Sequence, residues 1–423
     1  MSLKKKGNFL SIFMSILFFP FGTLSAQVFH NQIMDANIRT LRIENENKSI
    51  PYPIIDLHSS EQVSLSFDDL NPSFRSFSYK ITHCNSDWTA SDATENEYLN
   101  GFSTGYIHQS SSSINTYIPY THHSISFPND DVKFNISGNY AISIFTDNNE
   151  YDAVLTARFS ISDNSIGIAA TVSAITDIDY KKEHQQLSID LLLGNLSVQN
   201  PYRDLHLVVQ QNQRYDNLVT GLTPSAMLGD KITYANDKKL IFEAGNEFRN
   251  FDMSSIRIFS ERIEHIRYQI SNYHVQMYPD EIRNKAWYTQ NYDINGKMIV
   301  NLQLSEEDDV EADYFFVHFA LPSPLLPDDV YLLGQYNHYH LDKNALLNYN
   351  AVNMQYEKTL LLKQGGYDYA YVTVPRNGQK ASMKTIEGNY WETENEYAIY
   401  VYYKGFTDRY DRLIGTSIIL TNK

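Results

Sequence analysis

Cysteine is nearly missing from this 423-residue chain. Cys84 stands alone, which excludes an internal disulfide framework and any cysteine-built zinc knuckle. Positive charge is also scarce: 34 Lys and Arg face 50 Asp and Glu, a formal net charge of −16. No basic run follows residue 26, so a phosphate-backbone partner, and with it nucleic acid, is excluded. Beyond the first 26 residues no segment approaches the ~20 apolar residues of a membrane-spanning helix. Neither His-Glu-x-x-His nor the phosphate-cradling Gly-x-x-x-x-Gly-Lys occurs. Aromatic side chains are what the sequence has in quantity. Its 32 Tyr and 22 Phe exceed what a disordered chain carries, and the length suits two or three folded domains.

The first 26 residues read as an export signal. Lys4, Lys5 and Lys6 precede an apolar stretch from Phe9 to Phe21, and Leu24-Ser25-Ala26 supplies the small-residue end, with Gln27 as the mature start. No cysteine follows that site to carry a lipid. Removing three lysines and no acids takes the charge from −16 to −19. The expected product is an exported, soluble, acidic protein, a monomer when isolated.

Strand signals dominate the rest. Gln62–Phe67, Phe77–Thr82 and Tyr140–Phe145 alternate polar and apolar residues with period two, as half-buried antiparallel strands do. Turn residues separate them at Asp68-Asp69, Asn71-Pro72, Ser137-Gly138-Asn139 and Asp147-Asn148-Asn149. The fold class expected is mainly β, with antiparallel β-sandwiches of immunoglobulin-like or early-set-like type in tandem and little helix. Glu261–Tyr268 is the one segment expected to hold a helical turn or two. Three units follow the signal: 27–162, 168–300 and 301–423, the first two joined by the linker-like Ser162–Gly167. Thr-Glu-Asn-Glu-Tyr occurs at 94–98 and again at 393–397, but the flanks differ and the repetition reads as coincidence.

Each residue that could carry chemistry has a structural reading beside it. Gly101-Phe102-Ser103-Thr104-Gly105 fits the nucleophile-elbow pattern but lacks the apolar strand and following helix, so Ser103 reads as part of a glycine-bounded turn. His83 and Cys84 would point to opposite faces of a strand, as would His122 and His123, so neither pair chelates one metal. His338 and His340, two apart, would share a strand face without a third ligand. Asp68-Asp69 has turn composition, and Glu306-Glu307-Asp308-Asp309 reads as a solvated junction rather than a calcium loop. Asp408-Arg409-Tyr410-Asp411-Arg412 reads as a turn with local ion pairs. No catalytic residue, cofactor or metal is expected.

Two stretches are more distinctive. The first holds Tyr52-Pro53-Ile54-Ile55-Asp56-Leu57, Leu65–Leu70, His83-Cys84-Asn85-Ser86-Asp87-Trp88, Glu97–Phe102 and Ser137-Gly138-Asn139-Tyr140. The second holds Leu361–Tyr369, Glu387-Gly388-Asn389-Tyr390 and Asp408–Gly415. In this order they resemble the plug-protein family of the type IX secretion system of Bacteroidetes envelopes, over nearly the whole mature chain. The resemblance implies a periplasmic, non-enzymatic protein that closes the periplasmic mouth of the large outer-membrane translocon barrel when no substrate fills it. A second resemblance competes. Val330–Asn337, Tyr356-Glu357-Lys358 and Lys363–Tyr371 are similar to early-set sandwiches and glycogen-binding modules, which implies a glycan-binding alternative. The Trp those modules present after the Gly-x-x-Asn turn is missing, and Tyr339 is the aromatic left to stack on a sugar. The loop that holds Tyr336, His338 and Tyr339 is the segment expected at the interface with the barrel.

Overall fold

Alternation of apolar and polar residues builds the first sandwich. The computed structural model describes residues 27–45, 52–146, 152–285, 287–376, 378 and 380–421; the export signal at 1–26 and the turn at Asp147-Asn148-Asn149 lie outside the described residues. One sheet runs in the order Ile38–Glu44, Val63–Asp69, Thr121–Phe127, Gln109–Ser112. The facing sheet runs Gln32–Ile33, Ala153–Ser162, Gly138–Thr146, Phe77–Cys84, Thr104–Tyr106, with Ile54–Asp56 alongside Ala153–Ser162 in parallel. The apolar alternates of both, among them Leu65, Phe67, Ile81, Ile142, Leu155 and Phe159, form one closed core. Each such side chain contributes about 1.5–3 kcal/mol by leaving water.

The second sandwich is assembled from distant parts of the chain. One sheet holds Gly167–Ser173, His184–Leu192, Lys231–Tyr234 and Ala226–Leu228 in that order, with Ile241–Glu243 also on His184–Leu192. The other pairs Leu205–Gln211 with Glu396–Tyr403, which in turn pairs with Arg412–Leu420. Leu187, Ile189, Leu207, Val209, Tyr397, Ile399 and Ile414 share its core.

The third sandwich is inserted between those parts. Arg249–Asp252, Met298–Val300 and Asp329–Leu333 all pair with Gly365–Val374. Facing them are Ile263–Gln269, Asn272–Met277, Tyr314–Pro322, Gln355–Lys363 and Asn348–Asn350 in order. The boundary expected at 300 thus falls inside a sandwich, and the last two strands complete the second sandwich rather than the third. Sequence periodicity carries no trace of this, because Leu205 pairs with Tyr403 across almost the whole inserted unit.

Among the described residues helix is confined to single turns, Glu95–Tyr98, Pro201–Asp204 and Asp308–Glu311, with two short 3-10 turns at Lys238–Leu240 and Gln335–Asn337. The helical turns expected at Glu261–Tyr268 are instead the strand Ile263–Gln269. A bulge between Ile263 and His265 shifts the phase of that strand, so Ile263 and Ile266 meet the same core at a spacing that mimics a helix. The two Thr-Glu-Asn-Glu-Tyr copies differ in structure: Thr94 caps the helical turn at 95–98, whereas Glu396 and Tyr397 open a strand.

Candidate functional site

The polar alternates of the first sandwich define the site. Asn139, Ser143, Thr156, Arg158 and Ser160 lie on the face opposite the core, where alternation places water. All five are buried. The sheet of Glu396–Tyr403 and Arg412–Leu420 packs against this face. Tyr402 donates its hydroxyl to Asn139 Oδ1 at 2.9 Å, as does Ser160 at 2.8 Å, and Asn139 Nδ2 donates to the Asn85 carbonyl at 3.0 Å. Tyr52, Ile54 and Ala398 form a small apolar patch beside them.

Arg158 is the anchor of this junction. Its guanidinium lies 4.2 Å from the centre of the Trp88 ring and 4.4 Å from that of Tyr215. Tyr215 stacks on His340, with ring centres 5.8 Å apart, and His340 meets His30 edge-on at 5.9 Å. The column crosses all three sandwiches. Asn31 ties it together: its carbonyl accepts from His340 Nε2 at 2.6 Å, its Oδ1 accepts from the Arg158 amide at 2.7 Å, and its Nδ2 donates to the Tyr215 hydroxyl at 3.4 Å.

Of the residues expected at a partner interface, Tyr339 is turned fully inward. It is buried and donates its hydroxyl to the Gly296 carbonyl at 3.0 Å. Tyr336 is half-buried against the third core, and His338 is half-buried beside the column. The strand expected through His338 and His340 does not form, because His338 and Tyr339 take left-handed backbone conformations with φ of 53° and 55° after the 3-10 turn. The histidines therefore do not share a strand face. Burial of Tyr339 also removes the stacking platform of the glycan reading.

A second junction joins the first and third sandwiches. Asp68 is no turn residue. It lies within the buried strand Val63–Asp69 and has no exposure, accepting from Lys363 Nζ and from the Tyr314 hydroxyl at 2.6 Å each, while His122 Nδ1 lies 2.7 Å away. Its neighbour Asp69 does serve the turn, accepting from the Asn71 amide at 3.0 Å, and pairs with Arg75. The 306–309 run docks here too. Asp309 pairs with Arg42, and its carbonyl accepts from Lys363 at 2.7 Å and Tyr120 at 3.1 Å. Asp313 accepts from the amides of Tyr117 at 2.7 Å and Ile118 at 3.1 Å.

The closing segment folds back on the first sandwich. Asp411 accepts from the Ser86 amide at 2.8 Å and Tyr410 packs on His83, while Arg409 pairs with Glu97. His83 and Cys84 are both buried; the His83 ring bonds to Ser91, and burial pushes the Cys84 thiol up to about 12. Ser103 is buried between two short strands, and no hydrogen bond joins its hydroxyl to a histidine among the described residues. Gly101 is required where it stands, since a Cβ there would overlap the Asp131 carbonyl and φ is +122°. Among the described residues no three His, Cys, Asp or Glu side chains are grouped to hold a metal ion.

Inside the third sandwich the charges are paired or neutralised. Arg249 forks onto Glu387 and reaches Asp280 at 2.9 Å; with Arg283 it holds the Glu387 carboxyl down to about 2 against its own burial. Burial drives the other acids upward: Asp368 to about 8, Asp293 to about 6 and Glu247 to about 7. Sequence reasoning missed Arg158, Asn31 and Tyr215 altogether. The one available signal was a full charge inside the strand Ala157-Arg158-Phe159, on the face that alternation assigns to water.

Residues 38–163 match the family described as type 9 secretion system plug protein, first domain. Among solved structures, the crystal structure of a hypothetical protein from Parabacteroides merdae ATCC 43184 is 38% identical, with a TM-score of 0.92, over 93% of this chain and 100% of that one. No curated protein matches the chain.

Proposed function

This chain belongs to the type IX secretion system plug protein family, and on that premise we propose that it is a non-enzymatic periplasmic stopper that seals the translocon barrel when no substrate occupies it. The observation that carries the reading is the junction around Arg158 and Asn31, which joins three sandwiches through buried groups. A very wide barrel leaves a water-filled lumen that its own side chains cannot fill. A cover for that opening works best as a preformed body, since ordering it on binding would consume affinity. Domains joined by ordinary wet interfaces move relative to one another. Here Asp68–Lys363 and the Trp88–Arg158–Tyr215 column oppose such movement. Much of the tyrosine content supports that rigidity: Tyr52, Tyr140, Tyr234, Tyr314, Tyr369, Tyr371, Tyr397 and Tyr402 are all fully buried. The partner is the outer-membrane barrel of the same secretion system, with the chain held at its periplasmic side.

The test is co-purification. The tagged chain is expected to be a monomer by light scattering and to pull a barrel of several hundred kilodaltons from its own envelope; recovery without any barrel contradicts the proposal.

A further inference from the structure

The three sandwiches leave a cavity of about 70 Å³ where they meet. Its walls come from all three and are largely aromatic and aliphatic, with Tyr52, Phe159, Val208 and Tyr400 among them. One permanently charged side chain lines it, Arg158, which is 4% exposed. Among the described residues that cation has no counter-ion. Nη1 donates to the Phe29 carbonyl at 3.2 Å, Nε donates to nothing, and no ion pair involves Arg158 among the described residues. Buried charges are ordinarily paired, because an unpaired one bears the full cost of leaving water. Trp88 and Tyr215 both lie against the guanidinium, and its Nε is still without a hydrogen-bond partner. His338 lines the same cavity, and its Nε2 is likewise buried without a partner.

We propose that this cavity binds a small organic carboxylate, held edge-on by the Arg158 guanidinium, with His338 Nε2 as the second polar contact. The edge of a guanidinium matches the two oxygens of a carboxylate in a bidentate fork. Phe159, Val208 and Leu218 offer contact to a short alkyl group, beside polar residues such as Gln213 and Gln335. The volume accommodates a few atoms beyond the carboxylate, since one water needs only ~10–15 Å³ of such space. A sugar or nucleotide is too large. Because the walls belong to three sandwiches, an occupant would also tie them together, and its binding would register as stability.

The test uses the full mature chain. Equilibrium dialysis against radiolabelled propionate, at constant ionic strength balanced with chloride, should give saturable uptake of one propionate per chain. Thermal unfolding should shift upward with propionate in the same saturable manner, and not with chloride or phosphate. Arg158→Gln should bind at least about tenfold more weakly. If that variant does not fold, His338→Phe and the dialysis of the unmodified chain decide. No saturable uptake by the unmodified chain overturns the proposal. So does an equal effect of chloride, uptake of phosphate alone, or undiminished binding in both variants.

Discussion

Lys363 lies 295 positions beyond Asp68, and its ammonium sits 2.6 Å from Asp68 Oδ2 with both side chains almost wholly removed from water. The pair fastens the third sandwich to the first. Removing one partner leaves a buried charge, so Lys363→Met should cost about 3–5 kcal/mol in urea unfolding. Asp68→Asn with Lys363→Met should cost less than the sum of the two single changes, because the pair acts as a unit. Additive losses would mean that the contact contributes little.

Asn31 makes three bonds to three sandwiches, through its carbonyl, Oδ1 and Nδ2. Asn31→Ala removes the two side-chain bonds, at about 1–3 kcal/mol for the groups left unsatisfied. Hydrogen exchange should quicken selectively at the Arg158 amide and at residues 213–218, which lose their bonds to the Asn31 side chain. Uniform acceleration across the chain would contradict this.

The buried acids set the pH response from both sides. Glu387 is held at about 2 against an ordinary 4.5, so its stabilisation is complete above about 4.5 and is lost as pH falls toward 2. Asp368, raised from 3.8 to about 8, behaves oppositely: its protonated form is favoured by the fold, and stability is lost as pH rises through 8. The unfolding midpoint should therefore peak below neutrality. Glu387→Gln should flatten the acid side while lowering stability at pH 7.

Asp368→Asn isolates the alkaline side. Its Oδ2 accepts from the amides of Ile294 at 2.6 Å and Gly296 at 3.2 Å, which an amide oxygen can also do. At pH 8 the variant should gain about 1–3 kcal/mol over the unmodified chain, and at pH 5 almost nothing. A loss at pH 8 would mean that the carboxylate form is the one the fold prefers.

Period-two alternation made many of the strands legible, because strands such as Val63–Asp69 and Gly138–Thr146 do bury one apolar face in a local core. The second face was not legible. Asn139 and Arg158 lie on the face that alternation assigns to water, and distant parts of the chain cover them, Tyr402 on Asn139 and Tyr215 on Arg158. The same long range hid the insertion of the third sandwich, since nothing near Leu205 announces Tyr403 as its partner. Asp68 was masked by its neighbours: Asp69 and Asn71 do form the turn, and one residue earlier the same composition is a buried hub. At the site, Tyr336, His338 and Tyr339 are expected at a partner interface, and the left-handed residues of their loop send Tyr339 inward. Backbone conformation of that kind leaves no periodic signal.

The central claim is that this body seals a pore, and one permeability assay tests it most directly. A strain lacking the chain, shown to assemble the translocon barrel normally, should admit a large antibiotic such as vancomycin that the intact outer membrane excludes. Restoring the unmodified chain should restore exclusion. Normal exclusion in the deletion strain, with the barrel present and correctly assembled, would contradict the account.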